Sequence, residues 1–254
     1  MSRTRNELRI YDKAKFDPES GELQVWDEVL FPAIIRKYQY HFLDELLSRF
    51  TDPTVLDVGC GAGWGSHYVA QSARLVVGID VSQALVHGAC QRAGRNETYL
   101  LADGINLPIN ASSVDVILSI AALHHLPTRE ALSEWHRVLK RNGHLVLMEP
   151  NRLNPIAFVG RQFFPTETHT KDERPLTPIV LRQLLLEHGW KIVHWETHAI
   201  FSFAISRVLR LTNAPPAIAK ALTPTLDWLE RELVKLPFFK QIGWEILCEA
   251  RKEM

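Results

Sequence analysis

Three glycines at alternate positions, with a carboxylate two residues ahead of the first, make the run Val55-Leu56-Asp57-Val58-Gly59-Cys60-Gly61-Ala62-Gly63 the stretch of this sequence best suited to chemistry. Glycine reaches φ values closed to other residues and has no Cβ to hold a ligand away, so a nucleotide-sized molecule can approach bare backbone here. A second acid, Asp80, ends the apolar run Leu75-Val76-Val77-Gly78-Ile79 and lies 23 positions beyond Asp57. An acid about 20 positions on, at the tip of the next parallel strand, is placed to accept hydrogen bonds from a ribose diol. A tight strand-to-helix turn with no ligand is the alternative that glycines alone leave open.

The spacing separates two ligand classes. The dinucleotide fingerprint G-x-G-x-x-G needs a third glycine, which would fall on Trp64 counted from Gly59 or on Ser66 counted from Gly61. The missing glycine, with the absence of a Tyr-x-x-x-Lys pair, counts against a nicotinamide-dependent reductase. A carboxylate at position 57 is unhelpful beside a pyrophosphate and suits a ligand that carries positive charge and an amino group.

The elements that must hold these residues alternate. Apolar runs at 75–79, 98–101, 114–119 and 144–148 predict strands, and helices are expected over 67–72, 82–95 with Ser82 as N-cap, and 129–139, with Gly143 turning the chain into its next strand. Alternating strands and helices imply right-handed crossovers and a parallel sheet that binds ligands at its strand C-terminal ends. Asp57, Asp80, Asp103 and Ser119 all fall at such ends. Before the sheet, apolar residues recur at helical spacing from Val25 to Phe50. After it come a long connection at 152–175, a helix from Thr177-Pro178 to Glu187 stopped by Gly189, and a strand at 190–195. Residues 198–242 carry helical apolar stretches broken by Pro215-Pro216, Pro224 and Pro237, ahead of a last strand at 243–250.

At these positions the sequence resembles the class I S-adenosylmethionine-dependent methyltransferases of the small-molecule, quinone-biosynthesis-like branch. Residues 55–63 look like the first motif of that family, Val77 to Ser82 like the second, and Leu101-Ala102-Asp103-Gly104 with Leu107-Pro108 like the third. Val114 to Ser119 with Leu123-His124-His125-Leu126 resembles the fourth, and Leu139 to Leu147 the fifth. The resemblance implies a Rossmann-like α/β fold: a seven-stranded, mostly parallel sheet with helices on both faces, an antiparallel last strand, an N-terminal helical segment (1–50) and a helical insertion (198–242) before the last strand, all in one domain over 1–254.

It also implies S-adenosyl-L-methionine as cofactor and S-adenosyl-L-homocysteine as product. Asp80 would hold the ribose hydroxyls, the Gly59, Cys60, Gly61 and Gly63 backbone the methionine part, and Asp57 the amino group through water. Asp103 would bind the adenine amine beside Gly104, Val81 and Ala102, while Ser119 and Ile120 would face the sulfur. From the N-terminal segment, Tyr11 or Tyr38 would touch the cofactor, unless both simply pack against the domain. Methyl transfer to an oxygen or acidic carbon also needs a base. His125 and His124 are the candidates, with His169 behind them, and capping of the next helix is the plainer role for the pair. No Asn-Pro-Pro-Tyr motif follows the fourth strand, so nucleobase amines are not the expected acceptors. The apolar insertion points to a small, apolar or lipid-linked one.

Composition sets further bounds. With 29 basic and 29 acidic residues among 254, the formal net charge is zero, which argues against a nucleic-acid partner. The three cysteines form no C-x-x-C pair, so a reducing, cytoplasmic location is expected. No signal peptide and no uncharged apolar run of about 18 residues is visible. Peripheral membrane contact and a homodimer are both compatible with the sequence. The scattered histidines lack ligand spacing, so no metal is expected. A non-catalytic protein that only binds the cofactor remains the alternative to an enzyme.

Overall fold

The computed structural model describes residues 30–156, 158–159, 176–212 and 215–253. Tyr11, His169 and most of the 152–175 connection lie outside them. Helix α1 (Leu30–Leu47) leads into β1 (Thr54–Val58), α2 (Trp64–Val69) with a 3-10 turn at Ala70–Ser72, β2 (Leu75–Asp80), α3 (Gln83–Arg92) and β3 (Glu97–Leu101). The chain continues through β4 (Val114–Ile120), a 3-10 turn at Leu123–His125, α4 (Thr128–Val138), β5 (Leu139–Pro150), α5 (Pro178–Glu187) and β6 (Trp190–His198). It closes with α6 (Ser202–Leu211), α7 (Pro216–Leu233), a 3-10 turn at Phe239–Gln241 and β7 (Glu245–Lys252).

The seven strands form one sheet in the order β3-β2-β1-β4-β5-β7-β6. Strands β1 to β5 run parallel, and β7 is antiparallel to both neighbours, so the expected architecture stands, with the helical insertion between β6 and β7. Period-2 alternation sends successive side chains to opposite faces. Leu56, Ile117 and Leu147 meet α4 and α5 through Trp135, Leu132 and Leu185. Val55, Val116 and Met148 meet α1 and α2 through Leu43, Leu46 and Val69. Ser82 caps α3 by accepting from the Leu85 N–H at 3.4 Å, and Thr177 caps α5 from the Val180 N–H at 3.3 Å.

Two local expectations are corrected. Gly143 does not turn the chain into a new strand: β5 already begins at Leu139, and Gly143 sits in a bulge where Val114 pairs Leu139 but Val116 pairs His144. A Cβ at Gly143 would stand 2.9 Å from the Asp115 carbonyl oxygen, so the close approach of β4 requires glycine. Pro224 does not break the insertion but lies inside α7. A proline in the interior of a helix costs about 3 kcal/mol. Here the turns after it are held by Lys37, which donates to Asp227 at 2.6 Å, and by the buried Leu226 and Glu230.

Candidate functional site

The glycine loop leaves β1 with Gly59, Gly61 and Gly63 at φ +76°, +54° and +88°, all in the left-handed region. The Gly59 and Cys60 N–H groups donate to the Ile79 carbonyl at 2.8 and 3.0 Å, which clips the loop to the tip of β2. Gly59 and Gly63 are glycines for lack of room. A Cβ at Gly59 would collide with Ala122, and one at Gly63 would stand 2.7 Å from the Tyr99 hydroxyl. Gly61 differs, because a Cβ there would meet nothing within 4 Å. Its open face is the cradle that a ligand lying against backbone requires.

Asp57, buried at the end of β1, accepts from the Ser66 hydroxyl at 2.6 Å, and burial pushes its carboxyl up to about 7. Asp80 bridges two loops: Oδ2 accepts from the Gly61 N–H at 2.9 Å and Oδ1 from the Ser82 N–H at 2.8 Å, with Val81 between. Burial raises its carboxyl, and these backbone donors work against that rise. Beside it, the Ala102 N–H donates to the Asp80 carbonyl at 3.0 Å, and Asp103 Oδ1 accepts from the Ile105 N–H at 3.1 Å. Gly104 packs where a Cβ would be 2.9 Å from both Leu126 and Val58, and its carbonyl accepts from the Trp135 indole at 2.8 Å. The Asp57, Asp80 and Asp103 ends of three neighbouring strands thus surround the glycine loop.

Ser119 and Ile120 alternate along β4, so their side chains occupy opposite faces and do not both face one ligand atom. Ile120 packs with the α1 side of the core, while Ser119 is fully buried with its hydroxyl unpartnered. Such an orphaned polar atom beside the glycine loop is costly unless a ligand or water satisfies it.

Past β4, His124 is buried and its Nδ1 lies 2.7 Å from Glu149 Oε2. Glu149 also accepts from the backbone N–H groups of Ala122, Leu123 and His124 at 3.1, 2.8 and 3.3 Å. An ionised carboxylate only accepts, so Nδ1 carries the proton and the imidazole lone pair falls on Nε2. The half-exposed His125 ring lies 4.0 Å from the His124 ring at a 39° tilt and is close enough to Asp80 to oppose the rise of its carboxyl. Among the described residues no His, Cys, Asp and Glu group is arranged to hold a metal.

Tyr38 lies with the insertion rather than with the glycine loop. Its ring stacks on His198 at 4.9 Å and packs with Leu226, Phe201 and Ile205. Sequence inspection missed four supporting residues. Ser66 orients Asp57, and Glu149 orients His124. Tyr99 backs Gly63 and donates to Glu97 at 2.7 Å, and Arg92 donates to the Ala62 carbonyl at 2.7 Å. Only Glu149 had a signal: like the aspartates, it is a polar residue at the tip of an apolar strand.

Residues 56–147 match the model of a methyltransferase domain family. A Mycobacterium tuberculosis protein described as a probable S-adenosylmethionine-dependent methyltransferase is 31% identical over 172 residues, covering 67% of this chain and 60% of that protein. An uncharacterized methyltransferase of Synechocystis is 33% identical over 155 residues, covering 57% of this chain and 70% of that protein. Geranyl diphosphate C-methyltransferase from Streptomyces coelicolor superposes with a TM-score of 0.67 at 14% identity over 99% of both chains, a likeness of fold. The chain spans no more than 60% of the length of the mycobacterial relatives it matches.

Proposed function

This chain belongs to the S-adenosylmethionine-dependent methyltransferases, and on that premise we propose that it moves a methyl group from S-adenosylmethionine to a small, apolar or lipid-linked acceptor. The observation that carries the proposal is the open face of Gly61, whose N–H is held by the Asp80 carboxylate. The cofactor supplies a methyl group on a sulfonium centre. Positioning therefore carries most of the catalysis, since well-oriented groups bring effective molarities of about 10⁵ M or more.

In this reading Asp80 accepts from the ribose hydroxyls, the Gly59–Gly63 backbone lines the amino-acid part, and Asp57 attracts its ammonium. Asp103, with Val81, Ala102 and Gly104, forms the adenine wall. His124, fixed by Glu149, is the better placed base, and His125 beside Asp80 the second. A positioned histidine base is worth about 10² to 10⁴ in rate. The insertion forms the acceptor side of a single domain. The balanced charge favours a small molecule over RNA, and the free cysteines Cys60, Cys90 and Cys248 suit a reducing, cytoplasmic compartment.

Calorimetry tests the cofactor. S-adenosylmethionine and S-adenosylhomocysteine are expected to bind, NADPH not, and Asp80→Ala to weaken binding by about tenfold or more, as loss of a charged hydrogen bond implies. Binding of NADPH with no adenosyl ligand bound overturns the proposal. Incubation with labelled cofactor and lipid or aqueous extracts then tests the acceptor, and label confined to polar products rules out an apolar one.

A further inference from the structure

We propose that the turn Lys235-Leu236-Pro237-Phe238-Phe239-Lys240, with the outward face of α7 leading into it, docks on an anionic lipid surface. The turn is a short apolar tract bracketed by lysines. Phe238 is 69% exposed and Leu236 50%, and Trp228 on α7 is 58% exposed, with Ile218, Leu222 and Leu229 also open to solvent. Exposed apolar residues in such a run mark an interaction surface rather than ordinary scatter.

The exposure belongs to a fixed turn. Thr197 Oγ1 donates to the Lys240 carbonyl at 2.9 Å and Asn151 Nδ2 to the Gln241 carbonyl at 2.8 Å, while Phe238 stands edge-on against Phe239 at 5.4 Å. Two strand ends therefore hold the apolar tip outward.

Charge selects the partner. Across residues 216–241 the exposed ionic side chains are Lys220, Arg231, Lys235 and Lys240 against Glu232. Lys235 pairs with Glu232 and Arg231 reaches Asp227 at 3.4 Å, which leaves Lys220 and Lys240 as the cations without an acidic partner among the described residues. The other two acids of the segment are buried and engaged, Asp227 with Lys37 and Glu230 with the N-terminal N–H groups of α6. In a chain of zero net formal charge, this segment presents an outward excess of cations. Lysines flanking the apolar tip can lay their stems along it and keep their ammonium groups at the headgroups. Tryptophan and phenylalanine suit the boundary between headgroups and acyl chains. Among the described residues no helix is long and apolar enough to cross a membrane, so the contact is one of lying on the surface.

Strand pairing makes the contact useful. Glu245 pairs with Pro150, and His198 with Glu245, so the insertion leaves and rejoins the sheet at the edge that carries the glycine loop. Docking turns that edge toward the lipid. The proposal goes beyond the methyl-transfer assignment and stands whatever the acceptor is.

Sedimentation of the full chain with phosphatidylcholine vesicles, with and without phosphatidylglycerol, tests it. Binding is expected to the anionic vesicles only and to weaken with added salt. Phe238→Ala combined with Trp228→Ala, and separately Lys235→Glu combined with Lys240→Glu, are each expected to cut the bound fraction by about tenfold or more. Retained circular dichroism and an unchanged unfolding midpoint show that each variant is folded. Absence of vesicle binding, equal binding to neutral vesicles, or binding indifferent to both variants overturns the proposal. So does a dimer that the Phe238 variant dissolves in the absence of any vesicle binding, since the occupant is then a second copy.

Discussion

Replacing Glu149 by glutamine separates its structural task from its chemical one. Oε1 accepts from the Ala122 and Leu123 N–H groups, and Oε2 from the His124 N–H and Nδ1. The glutamine amide keeps the first pair by turning its oxygen toward them, since the opposite flip would face two backbone donors with two more. Its NH₂ then points at His124. The His124 backbone N–H, bonded at 3.3 Å in the native protein, faces a donor and is left buried without an acceptor, which costs about 1–3 kcal/mol. Nδ1 can switch from donor to acceptor at little cost, but the ring proton then moves to Nε2. A base at Nε2 is lost while the turn survives. Denaturant unfolding is expected to show a loss of about 1–3 kcal/mol, and nitrogen-detected NMR of the imidazole a change of His124 tautomer. Methyl transfer, once an acceptor is in hand, should fall by about 10² to 10⁴ if His124 is the base. An unchanged unfolding free energy together with an unchanged tautomer would refute the reasoning, because Glu149 would then hold neither the turn nor the ring.

Two further substitutions contrast within the glycine loop. Gly61→Ala strains only a left-handed backbone with open space around it, so stability should fall by about 1 kcal/mol while S-adenosylmethionine binding is lost. Gly63→Ala adds a collision with Tyr99 and Ala89, so the protein should unfold at clearly lower denaturant than the Gly61 variant; equal stability of the two would contradict the packing. Asp57 gives a pH signature. Its native carboxyl titrates at about 7 against an unfolded value of 3.8, so the native state keeps a proton that the unfolded chain has released. Stability should fall as pH rises from about 4 to about 7, then level off, and Asp57→Asn should remove that slope. A cationic amino group prefers the ionised form, so affinity for the adenosyl ligands should rise through the same upper limit, measured calorimetrically across pH.

How much was legible follows from how far apart the partners are in the chain. The glycine loop, the acids at strand tips and the caps at Ser82 and Thr177 are local patterns, fixed by φ freedom, period-2 burial and side chains that reach a backbone three residues on. Strand β4 reads from its own apolar run for the same reason. Pro224 misleads because its penalty is local while the forces that hold α7 are not: Lys37 comes from α1, and Glu230 answers the N–H groups of α6. Tyr38 is undecided for the same reason, since an aromatic near the N-terminus reads as cofactor contact or as packing until His198 is found beside it, and packing is what the structure shows.

The sequence by itself determined an alternating α/β chain whose parallel strands end in a glycine loop and a row of carboxylates, because those features depend on neighbours a few residues apart. The tertiary structure alone decided which side chains orient the acids and the histidine, since Ser66 meets Asp57 across a strand-to-helix turn and Glu149 reaches back 25 residues to His124. It also decided that the insertion seats against α1, through a Lys37–Asp227 pair 190 residues apart, and leaves its aromatic tip facing outward. Hydrogen bonds and burial are properties of space, and only folding brings such distant residues within 3 Å of one another.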